Sequence, residues 1–162
     1  MNIDDLYQEL ILDHVINPIN FFSMEKTLYK AEGYNSLCWD RLYIYVDLFG
    51  DYINKVSFTG SGCAISIASA SIMTDILSNC NLNESLIIFD IFFNMLISNN
   101  YNNYDLSRKL IAFSGIKFYP TRVKCATLCW HAFRKSINVW ILWNIRQIYF
   151  LLLLKKILVM QN

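Results

Sequence analysis

Residues 41–48 alternate without a break: Leu42, Ile44, Val46 and Leu48 fall on one side, Tyr43, Tyr45 and Asp47 on the other. A period of two marks a half-buried strand. Gly50-Asp51 supplies a turn, and residues 52–58 read as the second strand of a hairpin. A hairpin alone is marginal in water, so its apolar face needs a cover. The rest of the chain offers helices. Residues 3–16 carry an apolar stripe (Leu6, Leu10, Ile11, Val15) behind Asp4 and Asp5, which suit a helix N-terminus. Pro18 ends that pattern, and residues 17–36 read as irregular. Residues 64–77 are rich in Ala and Ser, as in a helix packed closely on a sheet. Further helices are expected over 84–97, with Asn83 as N-cap, over 105–113, and over 123–137. Asn and Tyr at 99–103 read as a loop. A hairpin followed mainly by helices predicts an α+β fold. The expected form is a small antiparallel sheet of about three strands packed against several helices.

The chain has 162 residues, enough for one domain with one sizeable core. Its formal net charge of +1 gives no strong pull toward nucleic acid, and none is expected as a partner. The start, Met1-Asn2-Ile3-Asp4-Asp5, lacks the basic and apolar run of a signal peptide. Five cysteines, an odd count without such a signal, favour a reducing compartment and metal or redox chemistry over disulfides. The expected location is cytoplasmic.

Three cysteines carry the functional signal. Cys38 stands two residues before Asp40, Cys63 follows Gly60-Ser61-Gly62, and Cys125 follows Arg122-Val123-Lys124. Three thiolates and a carboxylate make a tetrahedral donor set for zinc. Cys63 opens a predicted helix, where unpaired N–H groups and the dipole favour a thiolate; Cys125 is expected near a second helix start. No CxxC pair, the usual mark of a structural zinc ribbon, is present. Read alone, each cysteine is as readily a small buried hydrophobe. Core packing is the reading for Cys80 and Cys129, and a satisfied structural role that for His14 and His131.

The flanking residues decide between these readings. The chain resembles the SufU family of the IscU/NifU-like iron–sulfur assembly superfamily over roughly residues 4–137. The resemblance rests on the start Leu6-Tyr7-Gln8-Glu9-Leu10-Ile11-Leu12-Asp13-His14 with Asn17-Pro18, and on three motifs. These are Gly33-Tyr34-Asn35-Ser36-Leu37-Cys38-Trp39-Asp40, Gly62-Cys63-Ala64-Ile65-Ser66 and Tyr119-Pro120-Thr121-Arg122-Val123-Lys124-Cys125-Ala126-Thr127. Lys124 stands where IscU-type scaffolds carry histidine, and the segment between Cys63 and Cys125 holds the longer insertion typical of SufU. The resemblance implies a sulfur-carrier or sulfurtransferase activity in iron–sulfur cluster assembly. Persulfide sulfur would come from the cysteine desulfurase SufS and pass to the SufB–SufC–SufD scaffold. It implies Cys38 as sulfur acceptor, Cys38, Asp40, Cys63 and Cys125 as zinc ligands, and Arg122 as a residue acting at the desulfurase contact, orienting the partner or pairing with Asp40. The alternative is an IscU-type scaffold on which a [2Fe–2S] cluster is assembled by the same thiolates.

Two features depart from the family pattern. Where the family has glycine between cysteine and aspartate, this chain has Trp39. Either the loop avoids positive φ or its geometry has shifted. Residues 138–162 form an atypical apolar extension beyond a 1–137 domain. Arg146, Gln147, Lys155 and Lys156 interrupt it, so it lacks the ~18 uninterrupted apolar residues of a membrane span. It reads as a packed or partner-facing helix, with a membrane-surface helix and an unordered extension as the other readings; no membrane partner is expected.

Overall fold

The computed structural model describes residues 3–98 and 106–138. Helix α1 (Ile3–Ile16) leads through a long loop into strand β1 (Tyr29–Asn35), then β2 (Asp40–Phe49), β3 (Tyr52–Ser61) and helix α2 (Ala64–Leu77). A two-residue strand β4 (Cys80–Asn81), helix α3 (Leu82–Ile97), a short α4 (Arg108–Ile111) and a 3-10 turn (Ser114–Phe118) follow. Residues 120–138 form a last helix, α5. The sheet runs β1-β2-β3-β4 with every pair antiparallel. The α+β class is as expected, with four strands among the described residues rather than about three.

The alternation at 41–48 does what its period requires. Leu42, Ile44 and Val46 are fully buried, joined across the register by Val56 and Phe58 of β3. The hairpin closes at Gly50-Asp51, where Gly50 holds φ +62°, a conformation costly for residues with a Cβ. Small residues let α2 lie close to this sheet face: Ser66, Ala68, Ser69, Ala70 and Ser71 are all buried. Helix α5 fills the rest of the core with Trp130 and Phe133. Ser69 ties the two helices, donating to the Ala126 carbonyl at 2.6 Å and accepting from Trp130 Nε1 at 3.1 Å. Phe92 of α3 packs on Trp130 with ring centroids 4.8 Å apart.

Three local expectations are corrected. Residues 29–35 are a strand, not irregular chain. The N-cap of α3 is Asn81, whose side chain accepts from Asn83 N–H at 2.9 Å. Helix α5 begins at residue 120 rather than 123, because proline is well suited to the first helical position. The loop at 99–103 and the extension after 138 lie outside the described residues. Among those described, no helix is long and apolar enough to cross a membrane.

Candidate metal centre

Four elements converge at one end of the sheet. Asn35 ends β1 and pairs with Asp40, the first residue of β2, so residues 36–39 form a four-residue hairpin tip. Cys38 sits on that tip, half-buried, and Asp40 is fully buried beneath it. Cys63 is the N-cap of α2 in an extended conformation, with its carbonyl already accepting from Ile67 N–H at 3.0 Å. Its thiol lies at the positive end of that helix. Cys125 arrives from α5 with no exposed surface.

Cys38, Asp40, Cys63 and Cys125 bring one ligand atom each to within 4.8 Å of one another. The Cys38 and Cys125 sulfurs are 3.2 Å apart. Zinc–sulfur bonds of ~2.3 Å give a tetrahedron with edges of about 3.8 Å, so a donor set of this type and spread could close on a four-coordinate zinc. His14, His131, Cys80 and Cys129 do not join it. His14 is buried and bonded through Nδ1 to Ser71 Oγ at 2.7 Å, and burial lowers its pKa. His131 packs edge-on against Phe89 and Phe93. Burial pushes the Cys80 thiol up to about 11 and that of Cys129 to about 12, so both behave as packed core groups.

The carboxylate is held from both sides. Cys63 N–H donates to Asp40 Oδ1 at 2.7 Å, and Asn35 Nδ2 donates to Oδ2 at 3.2 Å. Gly62 is required for the first of these approaches: a Cβ there would stand 2.9 Å from Asp40 Oδ1 and 3.1 Å from Ser66 Oγ. Asn35 was not singled out from the sequence, although it lies within the first cysteine motif. Its polar side chain is buried, and its signal is a register position opposite Asp40 that only the sheet reveals.

Two expectations about the site change. Cys125 is not near a helix start. It lies more than a turn into α5, its Sγ facing the Thr121 carbonyl at 3.6 Å, so the N-terminal N–H groups do not serve it. Burial first, then hydrogen bonding with Cys38, Asp40 and Cys63, raises its pKa well above the usual thiol range. A thiol so placed needs a cation to hold it ionised. Arg122 does not pair with Asp40; its Nη1 lies 3.7 Å from Cys38 Sγ. Cys63, then Cys38, then Cys125 raise the arginine above its ordinary value. Lys124 is exposed and borders a groove with Phe93 and Ile97 of α3.

The expectation that the loop avoids positive φ at Trp39 is corrected. That residue holds φ +57° and is 77% exposed. The tip therefore keeps the left-handed turn that glycine would adopt freely, and a bulky side chain occupies it at a cost.

Comparison with known proteins agrees with this geometry. Residues 6–126 match the NifU-like N terminal domain. The zinc-dependent sulfurtransferase SufU of Bacillus subtilis (strain 168) is 34% identical over 84% of this chain and 92% of its own length. The iron–sulfur cluster assembly scaffold protein IscU of Streptococcus pyogenes serotype M1 is 29% identical over 84% of this chain and 85% of its own. A crystal structure from Fervidobacterium islandicum AW-1, of a putative iron–sulfur cluster assembly scaffold protein for the SUF system, superposes with a TM-score of 0.74 at 30% identity. It covers 82% of this chain and 97% of that one. The chain belongs to the NifU-like N-terminal domain family, within the IscU/NifU superfamily.

Proposed function

We propose that this protein is a cytoplasmic, zinc-dependent sulfurtransferase of iron–sulfur cluster assembly. It accepts persulfide sulfur from the cysteine desulfurase SufS and passes it to the SufB–SufC–SufD scaffold. One observation carries the reading: within a set of four ligand atoms lying within 4.8 Å, only Cys38 rides on a hairpin tip, beside a cationic Arg122. Cys38, Asp40, Cys63 and Cys125 would hold the metal. Bound zinc would keep the sulfurs as thiolates near neutral pH.

The chain's own residues then perform the exchange. Cys38 Sγ attacks the outer sulfur of the donor's persulfide. A Cys38–sulfur bond forms, the donor's sulfur–sulfur bond breaks, and the donor cysteine leaves as a thiolate, with no net change of oxidation state. Arg122 steadies the charge on Cys38 before the attack and on the terminal persulfide sulfur after it. Asp40, Cys63 and Cys125 stay in place while Cys38 swings with its loop.

The alternative is a scaffold that assembles a [2Fe–2S] cluster, favoured by the similarity to IscU. Against it, no histidine joins the ligand set among the described residues, and the residue before Cys125 is the exposed Lys124. Purification without oxygen separates the two readings. The sulfurtransferase binds about one zinc per chain and is colourless; a brown protein with sulfide-to-iron absorption sinks that reading. Mass spectrometry after incubation with desulfurase and cysteine places the added sulfur on Cys38; finding it mainly on Cys80 or Cys129 sinks the acceptor assignment.

A further inference from the structure

Asn35 makes three contacts from one buried amide. Leu37 N–H donates to its Oδ1 at 3.3 Å, which fixes the amide's orientation and aims Nδ2 into the site. Nδ2 then donates to Asp40 Oδ2 at 3.2 Å and to Cys125 Sγ at 3.3 Å. These are the two fully buried members of the donor set. Nδ2 has two hydrogens, and both are spent on ligands. No contact runs from Asn35 to the Cys38 or Cys63 sulfurs.

We infer that Asn35 is a positioning residue: it locks Asp40 and Cys125 together as the fixed half of the metal centre, so that Cys38 is the ligand free to leave and return. The inference rests on the proposed sulfur-transfer reading for the meaning of that departure, but not for the metal geometry itself. The logic is that of any outer partner of a metal site. A ligand whose remaining lone pair is already bonded keeps its direction when a neighbouring ligand dissociates. Asp40 has this on both oxygens, from Cys63 N–H and from Asn35, and buried Cys125 has it from Asn35. From outside the donor set Cys38 has only the long contact to an exposed guanidinium, at 3.7 Å, its nearer neighbour at 3.2 Å being the Cys125 sulfur itself. The same amide closes the hairpin through Leu37, so the loop that moves is hinged on the residue that holds the fixed ligands.

The test uses the full chain with zinc or cobalt(II) and needs no desulfurase. Asn35→Ala removes all three contacts. Asn35→Asp keeps the shape and the acceptor for Leu37 N–H while removing the donors, which preserves a foldable hairpin. Both variants are expected to bind zinc about 10–100-fold more weakly in competition with a chelator. Both should also shift the thiolate-to-cobalt absorption of the cobalt form. Asn81→Ala, which removes the cap of α3 away from the site, should change neither reading. Wild-type zinc affinity and cobalt spectrum in the Asn35 variants would overturn the inference, as would an equal change in Asn81→Ala. A wild-type chain that takes no sulfur on Cys38 would instead sink the proposed function, and the two metal measurements would still decide the role of Asn35.

Discussion

Cys38 and Cys125 have sulfurs 3.2 Å apart, yet they belong to opposite kinds of structure. Cys125 projects from a long helix packed against the sheet, is fully buried, and has an amide and a backbone carbonyl around its sulfur. Cys38 sits on a four-residue tip whose neighbours Leu37 and Trp39 are largely exposed, and Trp39 holds a left-handed backbone. A metal centre needs ligands that are organised in advance; a transfer site needs one sulfur that a partner can reach. On the proposed reading the fold would meet both needs by drawing its ligands from a buried helix and a half-exposed hairpin tip.

The sharpest break in this comparison comes from removing the rigid ligand. The donors come from distant segments, so binding free energy becomes folding free energy. We predict that chelation lowers the unfolding free energy of the wild type by about 4 kcal/mol when free zinc stands near a thousand times its Kd. In Cys125→Ala this chelator-dependent drop should vanish along with stoichiometric zinc. Urea unfolding with and without chelator measures both. Full wild-type stability after zinc is stripped would show that the flank needs no metal.

Cys38→Ala tests the other arm. Sulfur acceptance and stimulation of the desulfurase should be abolished, while the metal-free fold stays within about 1 kcal/mol of wild type, because the lost group lies on a surface tip. Zinc binding should weaken but leave a detectable three-ligand site. Desulfurase turnover beside thermal unfolding reads the two effects separately. A collapse of the fold equal to that in Cys125→Ala would erase the distinction between the arms.

Gly62→Ala should have an intermediate effect. The added Cβ meets the Asp40 carboxylate oxygen at 2.9 Å and Ser66 Oγ at 3.1 Å, so the carboxylate must turn off the Cys63 N–H. Zinc affinity should fall about tenfold, at the low end for disturbing a ligand's outer partner, with Cys38 still accepting sulfur once zinc is saturating. An unchanged affinity in chelator competition would mean that Asp40 is not held by this contact.

How legible these arms were in the sequence follows from what each buries. The β2–β3 hairpin could be read because its inward residues are large and apolar. Strand β1 could not: after Tyr29 its inward positions fall to Ala31, Gly33 and Asn35, and small or polar residues leave no alternation to see. Gly33 is small for a reason, since a Cβ there would press on Leu128 of α5 at 3.1 Å. A helix start expected at 123 instead of at Pro120 sets Cys125 too close to an N-terminus. The four donors could be named from their motifs, whereas the amide that joins two of them depends on strand register. Arg122 could be named but not its partner, because the contest between Asp40 and Cys38 is decided by burial: Asp40 has no exposed surface and is already satisfied.

The smallest expected effect, and the finest test of the mobile arm, lies at Trp39. A residue with a Cβ in the left-handed region costs ~1–2 kcal/mol, and glycine relieves that cost while adding ~0.5–1 kcal/mol of unfolded-state freedom. Trp39→Gly should therefore be more stable by at most about 1.5 kcal/mol, and zinc binding should survive, because Trp39 is 77% exposed and stands between Cys38 and Asp40 in sequence without being one of the donors. An exposed ring next in sequence to Cys38 would, on the obstruction reading, narrow the approach of a loop carrying a persulfide. Sulfur acceptance in Trp39→Gly should thus rise or stay level. The rival outcome has a physical basis of its own: an exposed tryptophan beside a reactive sulfur is well suited to anchor a docking protein. Desulfurase turnover against concentration of each variant tells them apart. Obstruction predicts an equal or lower half-saturation point for the glycine variant. A clearly higher half-saturation point, with zinc content unchanged, would turn Trp39 from an obstacle into a contact, and the strain at φ +57° would then be the cost of holding that contact at the tip.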